Sequence, residues 1–122
     1  MNHAKDNEFS NLFEENLKKA LTEFIILHLL SERDYYIGEL TTTLNQRSGG
    51  NLTIVFPYGA IYRLLQFGHI IESKKCNAPD GRRRQYYQIT DYGRTYLDHL
   101  SKIYTKFFRG IEAVLSGGKE NG

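Results

Sequence analysis

The 122-residue chain has no tryptophan, one methionine, one cysteine and two prolines. A lone Cys76 rules out an intramolecular disulfide, and a chain without such staples suits a reducing compartment. The same scarcity rules out a zinc cluster, because one thiol is too few and His3, His28, His69 and His99 keep no metal-ligand spacing. Cys76 is therefore expected to be a small packing residue. No apolar run approaches the roughly 18 residues needed to span a membrane. The first ten residues, "MNHAKDNEFS", lack the apolar segment of an export signal. A cytoplasmic protein is expected, and there the Asn51-Leu52-Thr53 glycosylation sequon carries no meaning. "LSGGK" at 115–119 has no accompanying G-x-x-x-x-G-K-[ST], so it is not taken as a nucleotide loop. No enzyme, cofactor or metal is expected from these residues.

What is present fits one modest domain: 40% hydrophobic and 25% charged residues are ordinary for a globular chain. The net charge of +2 hides an uneven distribution. Residues 1–61 carry five basic and eight acidic side chains, a net of −3. Residues 62–94 carry seven basic ones (Arg63, Lys74, Lys75, Arg82, Arg83, Arg84, Arg94) against Glu72, Asp80 and Asp91, a net of +4. A local basic block in a near-neutral chain is the electrostatic footprint of phosphate binding.

Periodicity predicts four helices and a hairpin. The first helix is expected from Phe9 to Leu30, with Leu17, Leu21, Ile25 and Leu29 spaced by four and Phe13, Ala20, Phe24 and Leu27 widening the stripe. "FIILHLL" is apolar nearly all round, which predicts burial on more than one side and a hydrogen-bonded core role for His28. A second helix is expected over 35–47, with Ile37, Leu40 and Leu44 on one face and Ser48-Gly49-Gly50 as its stop. "NLTIV", 51–55, reads as a short strand. A third helix is expected over 57–67, with Tyr58, Ile61, Leu64 and Leu65 inward and Gly59, Tyr62, Arg63 and Gln66 outward.

Then "HIIESKKC" and "RQYYQI" read as two strands joined through Pro79-Asp80-Gly81, a turn with three arginines beside it. Alternation puts Gln85, Tyr87 and Ile89 on one face and Arg84 and Tyr86 on the other, so Tyr87 is expected to pack and Tyr86 to meet solvent. Two helices joined by a turn and followed by a basic hairpin make a winged helix-turn-helix. Its third helix suits a major groove, and Arg82, Arg83 and Arg84 at the tip suit phosphates or a minor groove.

Thr90 and Asp91 are a good N-cap and first-turn pair for a last helix reaching about Leu115. It carries one stripe (Tyr96, Leu100, Ile103, Phe107, Ile111, Val114) and a second apolar edge (Leu97, Tyr104, Phe108, Leu115). A surface helix needs one stripe; two predict packing on another chain, most simply as a symmetric dimer.

"RRRQYYQITDYGR", 82–94, resembles the R-R-x-Y-Y-x-L-T-x-x-G-R of the PadR family of transcriptional regulators. Tyr58, Ile61, Arg63, Leu64, Gly68 and Ile70 are similar to that family's Y-x-x-L-x-R-L-x-x-x-G-x-I. The resemblance covers about 17–115. It departs at "YIGEL", 36–40, where the family often has H-G-Y-E-I, and at "TIVFPYGA", which replaces a serine-proline-glycine-threonine approach to the third helix. The resemblance implies a dimeric DNA-binding protein, mostly a repressor in this family, whose terminal helices form the dimer, in the small subgroup without a separate C-terminal domain.

The expected protein is thus mainly α with a small β-hairpin. Residues 1–90 form a winged helix-turn-helix domain with its N-terminal helix, 91–115 a dimerisation helix, and 116–122 a disordered tail. Its expected partners are double-stranded DNA with a palindromic operator, a second copy of itself and an aromatic small-molecule effector, with no membrane. The DNA-binding residues are Tyr58, Gly59, Tyr62, Arg63, Gln66, Lys74, Lys75, Arg82, Arg83 and Arg84. The dimer interface is Leu17, Leu21, Phe24, Leu100, Ile103, Tyr104, Phe107, Phe108 and Ile111. A repressor relieved by its effector is expected; the rival is a sensing or adaptor dimer of the same fold that does not bind DNA.

Overall fold

A computed structural model describes residues 3–54 and 57–118. Its elements run α1 (His3–Glu32), β1 (Tyr35–Tyr36), α2 (Ile37–Arg47), α3 (Tyr58–Gln66), β2 (Ile70–Asn77), β3 (Arg83–Ile89) and α4 (Asp91–Leu115). Helices thus dominate, as expected, around one small antiparallel sheet of order β1-β3-β2. The core lies where the C-terminal half of α1 meets α2, α3, the base of the hairpin and the first turns of α4. Ile26, Leu27, Leu30, Leu40, Ile61, Leu64, Ile70 and Leu97 are buried there. Each such aliphatic side chain contributes about 1.5–3 kcal/mol by leaving water.

Several expectations are corrected. Tyr35 and Tyr36 form a strand and not the first turn of α2, because both find partners on β3, Tyr35 opposite Tyr87 and Tyr36 opposite Tyr86. Residues 51–54 form no strand, since no neighbouring strand pairs with them, and Val55 lies outside the described residues. His28 is exposed: at about 100° per residue it falls opposite the buried arc of Ile26, Leu27, Leu29 and Leu30, and it faces Glu32 at 4.0 Å. Tyr58, expected inward, is 59% exposed, and Ala60 takes the buried position. Tyr86, expected in solvent, is 8% exposed. It does lie on the outer sheet face with Tyr36, but the Tyr36 ring meets it edge-on at 5.5 Å and Lys74 Nζ covers it at 5.1 Å. A register shift between Glu72 and Lys75 inserts one extra residue on β2 opposite Tyr86, and such a bulge re-aims side chains.

The junctions that set the wing against α3 are closed by local chemistry. Gly68 takes φ 79°, in the left-handed region that a glycine C-cap adopts without strain, and the His69 N–H returns to the Leu64 carbonyl at 2.9 Å. Thr90 caps α4 through its hydroxyl, which accepts from Gly93 N–H at 3.0 Å. The Thr90 N–H also donates to the His69 carbonyl at 3.0 Å, tying the end of the hairpin to its start. Residues 116–118 follow α4 in hydrogen-bonded turns, the Gly118 N–H donating to the Ala113 carbonyl at 2.7 Å. Residues 119–122 lie outside the described residues.

Candidate nucleic-acid interface

The hydrophobic side of α3, Ala60, Ile61 and Leu64, seats the helix on the core and so decides which side faces out. Gly59, Tyr62, Arg63 and Gln66 are all exposed, as the sequence predicts. Tyr58 joins them on the edge nearest the wing. On the opposite edge Arg63 leans back over Gly59 toward α1, where its Nε donates to Glu23 Oε1 at 2.6 Å. Side chains on a helix slant toward its N-terminus, so residue 63 lies over residue 59. An alanine Cβ at 59 would come 3.5 Å from Arg63 Nη1.

The wing tip is a hydrogen-bonded turn. Gly81 N–H donates to the Ala78 carbonyl at 2.9 Å, with Gly81 at φ 82°. Asp80 organises the arginines beyond it: Oδ1 accepts the Arg82 N–H at 3.0 Å, and Oδ2 accepts Arg84 Nη2 at 2.8 Å and Nε at 3.2 Å. The Arg84 hydrogen bond, helped by the Arg82 N–H, holds the Asp80 carboxyl below the ordinary aspartate range. The three arginines are therefore not equivalent. Arg82 and Arg83 are exposed with no side-chain ion pair among the described residues, whereas Arg84 is turned back onto Asp80 and lies 5.3 Å above the Tyr36 ring. Lys75 is exposed beside them, and Lys74 lies over Tyr86.

The hairpin and α3 meet in a cleft of about 340 Å³ lined by Tyr58 of α3, by Arg83, Arg84, Gln85 and Tyr87 of β3, by Tyr36 of β1, and by Ile37, Gly38 and Thr41 of α2. The α2 residues are absent from the predicted site. No local signal marks them, since "YY" continues the helical pattern of "IGEL" and only pairing with β3 brings this segment beside the wing. Glu23 is also absent from it, being 40 residues from Arg63 in sequence.

The expected dimer residues divide in two. Leu21, Phe24 and Leu100 are half-buried, with Phe24 and Leu100 packed on the core. Leu17, Ile103, Tyr104, Phe107, Phe108 and Ile111 are exposed, with Phe9, Leu12, Phe13, Val114 and Leu115 beside them. Phe24, Tyr104 and Phe108 make a run of rings with centroids 5.1 and 5.9 Å apart. Among the described residues no group of three or more His, Cys, Asp or Glu could hold a metal, and no helix is long and apolar enough to cross a membrane.

Residues 26–99, which hold α2, α3, the wing and the start of α4, match the family model described as the transcriptional regulator PadR-like family. The chain belongs to the PadR-like family. As a PadR-like protein it is a regulator of transcription and not an enzyme. The match ends at His99, just ahead of the exposed apolar stretch of α4. An uncharacterized protein of Lysinibacillus sphaericus is 30% identical over 94 residues, 76% of this chain and 86% of that one. A solved transcriptional regulator from Clostridium thermocellum is 25% identical, with a TM-score of 0.70 over 80% of this chain and 95% of that one. A PadR-like transcriptional regulator from Bacillus cereus, also 25% identical, gives 0.69 over 82% and 96%. A PadR family regulator from Eggerthella lenta shares the fold at 22% identity, with a TM-score of 0.74 over 93% and 97%.

Proposed function

We propose that this PadR-like regulator is a cytoplasmic repressor that binds a palindromic operator as a homodimer and is released by a small-molecule effector. The observation that carries the DNA part is the polar, exposed face of α3 standing next to the basic wing across one cleft. A major groove admits one helix, and Arg and Gln are side chains that read base edges there. Gln66, Arg63 and Tyr62 take that role, and Gly59 lets the helix approach closely. Arg82, Arg83 and Lys75 contact phosphates, Tyr58 and Lys74 border the same backbone, and Arg84 shapes the tip through Asp80.

The dimer part rests on the exposed apolar stripes of α1 and α4, which a soluble chain covers or aggregates. Residues 1–90 then form the DNA-binding head and 91–115 the helix that joins two heads, setting two recognition helices a helical turn or so apart. The effector part is supported by a cleft of about 400 Å³ lined by Phe24, Ile25, Leu29, Leu44, Leu52 and Tyr104, with His28 and Arg47 at its rim. That size and apolar lining suit a small aromatic molecule. The same cleft favours the second reading, a sensing dimer that does not bind DNA. A gel shift with the DNA upstream of its own gene separates the two. Retardation competed by specific but not by unrelated duplex supports the repressor; no retardation at low salt supports the sensor.

A further inference from the structure

We infer that Glu23 of α1 is a specificity-determining residue, which acts by holding Arg63 in the pose that meets a base. The inference rests on the DNA-binding reading above and goes beyond it by assigning a role to a helix outside the helix-turn-helix. Three observations carry it. First, the contact is made through one edge of the guanidinium: Nε donates to Glu23 at 2.6 Å, and among the described residues Nη1 and Nη2 have no hydrogen-bond partner. The two terminal nitrogens are thus left as a fork, the arrangement that pairs with guanine O6 and N7. Second, the guanidinium lies along the helix over Gly59, with Nη1 3.5 Å from where a Cβ at 59 would stand, an ordinary van der Waals separation, so the helix surface beneath does not displace it. Third, Arg63 stays about half exposed while the Glu23 side chain is only 26% exposed, so the anchor is the more sheltered of the two.

An arginine on a helix surface otherwise samples many rotamers, and fixing it on binding costs about 0.5–1.5 kcal/mol. A carboxylate that fixes it beforehand removes part of that cost and limits the angles from which a base can be met. The same carboxylate, left alone beside a DNA backbone, would repel it. Glu23 therefore helps only while Arg63 is present, and the two residues form one unit.

The test uses the full chain and an operator selected by the wild-type protein from randomised duplex DNA. Affinity is measured for that operator, for its single-base variants and for unrelated duplex. Arg63→Ala should identify the base pair it meets by loss of discrimination there. Glu23→Ala should weaken operator binding by roughly two- to tenfold, the fold-change equivalent of the cost above, with the loss confined to that same base pair. Glu23→Gln, whose amide oxygen can still accept from Nε, should restore most of the discrimination. In the Arg63→Ala background, Glu23→Ala should instead improve binding to all DNA. Circular dichroism confirms that each variant is folded. If Glu23→Ala lowers the unfolding midpoint but leaves discrimination intact, the ion pair merely ties α1 to α3 and the inference is wrong. If Glu23→Ala tightens operator binding, Glu23 withholds Arg63 from DNA and the inference is equally wrong. If the wild-type chain selects no sequence at all, the DNA-binding reading itself has failed.

Discussion

Replacing Arg82 and Arg83 together with alanine is the sharpest probe of the wing. Both side chains are exposed and carry no ion pair among the described residues, while Arg84 gives Nε and Nη2 to Asp80. If each of the first two neutralises one phosphate, the slope of log affinity against log salt falls by about 0.9 for each, about 1.8 in all. Between roughly 50 and 200 mM salt, a fourfold change, that makes the variant about tenfold less salt-sensitive than the wild type. Arg84→Ala should alter the slope far less, since its charge is already compensated by Asp80. Fluorescence anisotropy on an operator duplex and an unrelated duplex, at four salt concentrations, supplies both slopes. Affinity should fall about equally on the two duplexes, because phosphate contacts carry no sequence information. Folding stability should stay within about 0.5 kcal/mol, as exposed tip residues contribute little. An unaltered slope in the double variant would remove the wing from the phosphate contacts. A slope change in Arg84→Ala as large as that of either neighbour would show that Asp80 does not hold Arg84 when DNA is present.

Phe107→Asp with Ile111→Asp should give monomers with lost operator affinity, seen as halved mass in sedimentation equilibrium; a monomeric wild-type chain at micromolar concentration would sink the dimer. Gln66→Ala should relax discrimination at one base position by about 1–3 kcal/mol, whereas a uniform loss over all duplexes would move Gln66 to the phosphate contacts. Gly93→Ala should destabilise the fold: its Cβ would sit 2.0 Å from the His69 carbonyl oxygen and 2.9 Å from Ile89 Cγ1. Helix propensity alone favours alanine by about 1 kcal/mol, so an unfolding free energy lower by about 1–3 kcal/mol in urea titration means the overlap wins, and a raised stability would refute it. Asp80 is held below the ordinary aspartate range, so its contribution to the tip is present above that range and is lost only as pH falls through the lowered value. The Arg82 amide resonance, followed by NMR, should therefore move only at a pH below that of an ordinary aspartate.

Much of the fold is legible along the chain because it is local. The three-or-four spacing of α4, its Thr90 cap, the Pro79-Asp80-Gly81 turn and the outward set Gly59, Tyr62, Arg63 and Gln66 each depend on residues within a few positions of one another. Helix and turn chemistry act at that range, so periodicity is enough to read them. The exposed stripe of α4 is legible for the same reason, since a single domain of this size has nothing left to cover it.

Tertiary structure decides what depends on a distant partner. Tyr35 and Tyr36 continue a helical pattern in sequence, yet they become a strand because β3, some fifty positions on, offers its open edge. Alternation puts Tyr86 on the outer face of the sheet correctly, but it is silent on whether that face is bare, and Tyr36 and a bulged Lys74 cover it. His28 sits in an apolar run and still faces water, because the side of α1 that is buried is chosen by where α2, α3 and α4 pack. Arg63 and Arg84 look alike as free cations in the sequence. Glu23, 40 positions away, and Asp80, within the tip, turn one into an anchored fork and the other into a structural tie. Charge and periodicity are properties of a segment, whereas a salt bridge or a strand edge belongs to two segments at once, and only folding brings the two together.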